Sequence, residues 1–407
     1  MLETSKKMKN KLISFLANPN LVLALHAILI FFITIPGTRI IYKYFPAFST
    51  TLSITYIGLV YFSIFLIAFS PISDKIRKLL GNPLLIVSIL FLICLVTYLV
   101  YPIADGLKYQ MRGSDQDDCV ILGTRLLSNL QNPYLSRSYF GNPCSPGPGV
   151  LIPHLPFALI GIYELVGPLS IILLTTLLRL ITNSWKFVGT FLIMFLSCIL
   201  ILELLVVGSD LIFIGCGILA SVLILMQAAQ FKKIGWLITS AIVCGLISST
   251  RVNFIVLIPI FSFFVYIYWR KSIVYFVLIT AVIAFLPATL IYLNNPSSFT
   301  PLHLLKKSQA FLSPVEYYAA TFFSLVCIFL SLIIIKQKIS MLPCAIFIAL
   351  FPSLFFVSMG DLIYHCSWNV ADWEGANYLI PLVPLAAFLI TFKIFAMVEK
   401  MELRTHA

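Results

Sequence analysis

Three carboxylates crowd one short stretch of this chain, Gly113-Ser-Asp-Gln-Asp-Asp-Cys-Val-Ile-Leu-Gly-Thr-Arg-Leu-Leu-Ser-Asn-Leu-Gln-Asn-Pro-Tyr134. Asp115, Asp117 and Asp118 repel one another unless a cation or a substrate uses them. Two chemistries suit such a group. One carboxylate could act as a general base on an attacking hydroxyl, with Asp117 the first choice and Asp115 and Asp118 next. Alternatively, Asp115 and Asp117 form an Asp-x-Asp pair that could hold a hard cation such as Mg²⁺, Mn²⁺ or Ca²⁺. The plainer alternative is that the acids cap a helix and complement its dipole. Ser114 and Asp117 have capping-box spacing, and Val120, Leu126, Leu127 and Leu130 mark an apolar face. A short amphipathic helix in a membrane interface is therefore expected. A cap needs fewer acids than this stretch holds.

The rest of the chain says where such a site must sit. Of 407 residues, 60% are apolar and 10% charged, against roughly 25% charged in soluble proteins. Mean hydropathy is +1.04. A single soluble core stops growing near about 250–300 residues, so a soluble enzyme, a secreted disulfide scaffold and a disordered chain are excluded. An all-α polytopic membrane protein is expected. Apolar runs fall near 20–36, 51–72, 84–103, 150–178, 187–207, 210–230, 235–250, 252–269, 272–293, 316–336, 339–358 and 376–396. They predict about twelve spans (roughly 10–13). The basic start (Lys6, Lys7, Lys9, Lys11) leads into an apolar stretch with no small-residue cleavage site, which reads as an uncleaved first span.

The net charge of +12 is not a nucleic-acid signal, because the basic residues recur as small groups between apolar runs. With the N-terminus inside, most Lys and Arg fall on the inner side: the tail, Lys75–Lys78, Arg179/Lys186, Lys232/Lys233, Arg270/Lys271 and Lys336/Lys338. The acids fall the other way, with Asp105, Asp115, Asp117, Asp118, Asp210, Glu316, Asp361, Asp372 and Glu374 on or near the outer face. Both termini are thus expected in the cytoplasm. Three polar outer loops follow, 104–149, 294–315 and 359–375, with no evident internal repeat. The nine cysteines form no CxxC pair. Most read as small packing residues, while Cys119 and Cys144 share one polar loop and fit either a disulfide or two free thiols.

Outside the acid-rich stretch, Arg251 lies between two apolar runs, where it is either an anion ligand or a snorkelling helix-end arginine. Lys306 and Lys307 are either phosphate ligands or a solvated pair. Asp210 is a second site acid or the N-cap of its span. Glu164 and Glu203 interrupt apolar runs, where a charge is costly; Glu164, beside Gly161, Gly167 and Pro168, is a weak site candidate. His154 reads as packing, and His303 and His365 as loop residues. Tyr364, Trp368 and Trp373 suit a sugar platform or an interfacial belt.

The acidic outer stretch, its interfacial helix, Asn132-Pro133-Tyr134 and the proline-rich lead into the next span (Pro143, Pro146, Pro148, Pro153, Pro156) together resemble the GT-C superfamily. Gly208-Ser209-Asp210, the segment Gly245 to Arg251, Asn295-Pro296 with Lys306/Lys307, and Asn377-Tyr378-Leu-Ile-Pro381 resemble later motifs of that family, in order, over about 104–395. Two features depart from it: Asn377 stands where many relatives carry Arg, and an extra span precedes the acidic loop. The resemblance implies an inverting glycosyltransferase that moves a hexose from a polyprenyl-phosphate donor to a lipid-linked, cell-surface glycan acceptor of O-antigen type. It implies an Asp base, with Arg251, Lys306, Lys307, Tyr134, Asp210, Asn377 and Tyr378 around the lipid phosphate and substrate. It leaves a divalent cation (Mg²⁺ or Mn²⁺) optional, and the reading favours no obligatory metal. Membrane lipids are the expected surroundings, a bacterial inner membrane the expected location, and the periplasmic face the expected site. A polysaccharide polymerase is the rival enzyme, against which the acid-rich loop argues. A lipid-linked-glycan flippase or transporter is the rival outside catalysis, and would be expected to carry charges along a midplane path.

Overall fold

The computed structural model describes residues 19–110, 114–302, 312–364 and 369–405. Among these the chain is helical, with pairing of strand type confined to one bridge between Arg137 and Pro143. Lipid offers no hydrogen bonds, so each apolar segment must satisfy its own peptide groups, and a helix does so within one segment. The helices are α1 (Pro19–Tyr44), α2 (Ser49–Phe69), α3 (Ser73–Leu80), α4 (Pro83–Gly106), α5 (Asp118–Ser128), α6 (Pro148–Ile160), α7 (Val166–Thr182), α8 (Trp185–Leu196) and α9 (Leu200–Val206). They continue with α10 (Leu211–Phe231), α11 (Ile234–Ser248), α12 (Leu257–Tyr268), α13 (Ile273–Asn294), α14 (Pro314–Ile335), α15 (Leu342–Tyr364) and α16 (Val383–Thr405).

Nine helical stretches among the described residues are long and apolar enough to cross a membrane, and the pair α8–α9 makes a tenth if taken as one bent span. This is a multi-pass membrane protein. Each of the twelve expected runs is helical, but not each is a straight span. The runs at 235–250 and 252–269 form helices of 10–17 residues, and the run at 150–178 divides at Gly161-Ile162 into α6 and α7. The run at 187–207 bends by 84° between α8 and α9. Its broken backbone is served by Tyr56 of α2, whose hydroxyl donates to the Ser197 carbonyl (2.5 Å) and accepts from the Ile199 N–H (3.5 Å). Such outside partners are what a helix break in hydrocarbon requires.

Burial separates a centre from a rim. The spans Leu211–Phe231 and Glu374–Ala396 are 72% buried, whereas Pro83–Gln110, equally apolar, is 11% buried and turns its side chains outward. α10 packs on α7, α11 and the last span, while α14 and α15 pair with each other. Segments expected on the inner side meet one another. Lys186 Nζ lies 3.0 Å from Asp74 at the start of α3, and Tyr268 donates to the Ile335 carbonyl at 2.7 Å. At the other end, α11 is only 15 residues long, about 22 Å at 1.5 Å per residue. That is less than the ~30 Å of hydrocarbon, so α11 is too short to cross it alone.

Candidate active site

The acid-rich stretch starts α5, but by other bonds than a capping box. Ser114 Oγ accepts from the Gln116 N–H at 3.3 Å in a local turn, and Asp117, at the N-cap of α5, makes no side-chain cap bond. Its carboxylate instead accepts a short hydrogen bond from Tyr101, near the end of α4. Asp118 is held by Lys108 Nζ (2.5 Å) and the Tyr139 N–H (2.8 Å), and Lys108 also bridges Asp105 at 2.6 Å. Burial pushes the Asp117 carboxyl up to about 7, with Asp105 and Asp118 adding repulsion against the help of Tyr101 and Lys108. Val120 is fully buried, as the apolar pattern predicts, while Leu130 lies exposed past the end of the helix.

Asp117 also abuts Gly208, whose φ is +66° and whose carbonyl accepts from Tyr163 at 2.9 Å. A Cβ at this position would come within 2.9 Å of the Tyr101 ring and 3.3 Å of Asp117 Cβ. Glycine therefore permits both the left-handed turn and the close approach. Two residues on, Asp210 heads α10 and takes both its oxygens to Arg251 Nη2, at 2.7 and 2.8 Å. Arg251 is held in turn by the proline-rich segment. Gly147 N–H donates to the Thr250 carbonyl at 2.8 Å, and Gly149 lies directly on the Leu246 carbonyl, where a methyl group would overlap it.

These elements enclose a cavity of about 510 Å³. Its polar end is built from Asp115 and Gln116, the pair Asp210–Arg251 with Asn253, and Glu374, Asn377 and Tyr378 at the start of the last span. Its other end runs between α14 and α15, walled by Tyr317, Ala320, Thr321 and Ser324 on one side and Ser353, Phe356 and Val357 on the other. The opposite face of α14, with Tyr318, Phe322 and Phe329, points outward from the protein. Pro301 and Leu312, which flank the undescribed segment of the second outer loop, also line the cavity. Charged groups converging at one end, with a less polar wall of mixed aromatic, aliphatic and hydroxyl side chains at the other, suit a ligand with an anionic or polar head and a less polar remainder.

The structure thus gathers Asp115, Asp210, Arg251, Asn377 and Tyr378 at one cavity and leaves other expected residues outside it. Asp117 and Asp118 sit behind the cavity, in the cluster around Lys108. Tyr134 is buried against Phe299, ring centroids 5.2 Å apart, with its hydroxyl unpartnered among the described residues. Lys306, Lys307, His303, His365 and Trp368 lie outside the described residues. Several ion pairs bring in partners that the sequence did not single out, namely Arg39, Lys43 and Lys108. Glu203 binds Lys43 at 2.7 Å and Arg39 at 3.6 Å, and Arg39 Nη1 donates to Asn377 Oδ1 at 3.1 Å. A guanidinium from α1 therefore stands beside residue 377, which is itself Asn. Glu164 and His154 line a small separate void, and Trp373 is buried with its indole N–H on the Ser358 carbonyl (2.9 Å) rather than in a belt. Cys119 and Cys144 form a disulfide, joining the start of α5 to the proline-rich segment. Lys108, Tyr101 and Arg39 carried one faint signal, a polar or charged group within a turn or two of a span's outer end.

No protein-family description, curated protein or solved structure matches this chain.

Proposed function

We propose that this chain is a GT-C-like membrane glycosyltransferase that moves a hexose from a polyprenyl-phosphate donor to a lipid-linked, cell-surface glycan on the outer face of a bacterial inner membrane. The single observation that carries the reading is the cavity itself: carboxylates and one arginine gather at one end, and from there it runs between α14 and α15 along a wall of mixed aromatic, aliphatic and hydroxyl side chains. The disulfide supports the assignment of this face, since such bonds persist on the oxidising side of a membrane.

In this reading Asp115 is the base, because it is the one of the three clustered carboxylates that lines the cavity. It takes the proton of the acceptor hydroxyl as that oxygen bonds to the anomeric carbon from the face opposite the donor phosphate. The bond from the anomeric carbon to the phosphate oxygen breaks, and polyprenyl phosphate leaves with the electron pair. A positioned base contributes roughly 10²–10⁴ in rate. Arg251 gives Nη2 to Asp210, and its Nη1 makes no hydrogen bond among the described residues, so it is the cation for the departing phosphate. Asn377 and Tyr378 add neutral contacts. The resemblance leaves a cation open at Asp115 and Asp117, but these two face different surroundings, one the cavity and one the cluster around Lys108. No step is routed through a metal.

The test uses purified protein in detergent with a panel of polyprenyl-phosphate hexoses, with and without a lipid-linked glycan, and mass spectrometry of the freed polyprenyl phosphate. Sugar-specific release that Asp115→Asn lowers a hundredfold or more is expected. Release lowered by Asp117→Asn and untouched by Asp115→Asn would move the base into the buried cluster. No release with any donor and acceptor would sink the transferase reading in favour of a polymerase or transporter.

A further inference from the structure

We propose that Lys108 is a built-in cation, its ammonium standing where the carboxylates of Asp105, Asp117 and Asp118 would otherwise hold a divalent metal ion. These three are the one group among the described residues with the geometry of a metal cage, each offering an oxygen within 4.8 Å of the others. Oxygens on opposite sides of Mg²⁺ or Ca²⁺ stand about 4.0–5.2 Å apart, twice the ligand distance. Lys108 Nζ already lies 2.6 Å from Asp105 and 2.5 Å from Asp118, on a side chain 7% exposed, with the Tyr109 ring 5.7 Å away. A second observation points to a cation cage that is only partly served. Asp117 is 1% exposed, and its Oδ1 has no hydrogen-bond partner among the described residues, while Oδ2 accepts from Tyr101.

The lysine has two advantages over an ion from solution. It is one helical turn from Asp105, so it is present at high effective concentration and loses little freedom on binding. A competing ion must also push a buried ammonium off two carboxylates and shed its own water, and Mg²⁺ dehydrates reluctantly. The charge arithmetic shows what its removal would do. With Lys108 the three carboxylates and the ammonium sum to −2 when all are ionised; without it they sum to −3, with no other cation bonded to them among the described residues. A divalent ion would then be the available remedy. The proposal concerns the cluster alone and stands whatever the cavity binds.

The experiment titrates Mn²⁺ into the purified full-length protein, chelated free of metal, and follows free Mn²⁺ by electron paramagnetic resonance. Wild type should show no stoichiometric site below millimolar Mn²⁺. Lys108→Ala should bind one equivalent at least tenfold more tightly, gain thermal stability from it, and lose the site on addition of Asp117→Asn. One equivalent bound tightly by wild type and abolished by Asp105→Asn would overturn the proposal, as would a folded Lys108→Ala that binds none. If Lys108→Ala does not fold, its folded yield is compared with and without Mn²⁺ during solubilisation. Recovery by Mn²⁺ but not by K⁺ is expected, and absence of recovery overturns the idea.

Discussion

At the scale of single residues, the pair Asp210–Arg251 is the strongest test of how the site is held. Asp210 is buried, Arg251 is half-buried, and Arg251 has no other carboxylate among the described residues, so removing the arginine strands a buried charge, at about 3–5 kcal/mol. Arg251→Ala should therefore unfold well below wild type in a detergent thermal melt, and Arg251→Met with Asp210→Leu should recover most of that loss. Asp117 offers a test by pH. Its folded value of about 7 lies above the ~3.9 of an unfolded Asp, so the folded state holds this proton more tightly. Its ionisation then subtracts from stability as pH rises from about 4 to 7. Asp117→Asn keeps an acceptor for Tyr101 and carries no charge. It should melt above wild type at pH 8, by of order 1–3 kcal/mol, and level with it near pH 4.5. A variant destabilised at pH 8 would mean that Lys108 needs the charge of Asp117 more than burial penalises it. Asp115, Asp210 and Arg251 were legible from the sequence because charged groups at span ends stand out, while Asn377 and Tyr378 were reached only through the family resemblance. Lys108, Tyr101 and Arg39 were not, because a residue's partner 10 to 338 positions away leaves no mark in its own surroundings.

At the scale of elements, hydropathy located every helix that walls the cavity but not the shape of each. An apolar window reports composition, so the 84° bend at α8–α9 and the division of α6 from α7 were invisible to it. The short length of α11, which leaves it unable to cross the hydrocarbon alone, is likewise a matter of a few residues. The proline-rich segment matters here as packing. Gly149 sits on the Leu246 carbonyl where no Cβ fits, so Gly149→Ala must push α6 away from the end of α11 and tilt the turn that carries Arg251. A loss of about 1–3 kcal/mol is expected, in the range of overpacked sites. Substrate affinity should fall further than that of Gly58→Ala, a position with open space around it. The Cys119–Cys144 link closes a 25-residue separation, worth about 3.5 kcal/mol on the chain-entropy account. Cys144→Ser should lower the melting temperature, and a reducing agent should do the same to wild type but not to the variant.

At the scale of the whole molecule, the division of charge along the sequence anticipated which segments share an end of the bundle. Lys186 with Asp74, and Tyr268 with Ile335, mark one end; the loop segments from 115 to 146 with 210, 251 and 374–378 mark the other. Membrane-impermeant thiol labelling in cells checks the sidedness. Asn142→Cys should react in intact spheroplasts and Lys75→Cys only after permeabilisation; the reverse pattern would invert the topology. What no reading of charge could supply is the split between buried centre and lipid-facing rim, since α10 and the helix through Pro83–Gln110 have the same apolar character and differ only in their neighbours. The disulfide has one more consequence, in time rather than space. Its cysteines lie between the span that ends at Gln110 and the one that starts at Tyr163, so the bond can close only after this early loop has crossed to an oxidising side. In a pulse-labelled nascent chain, the moment at which these thiols stop reacting with an alkylating tag dates that crossing against synthesis of the later spans, and the bond becomes a clock for the order in which the bundle is built.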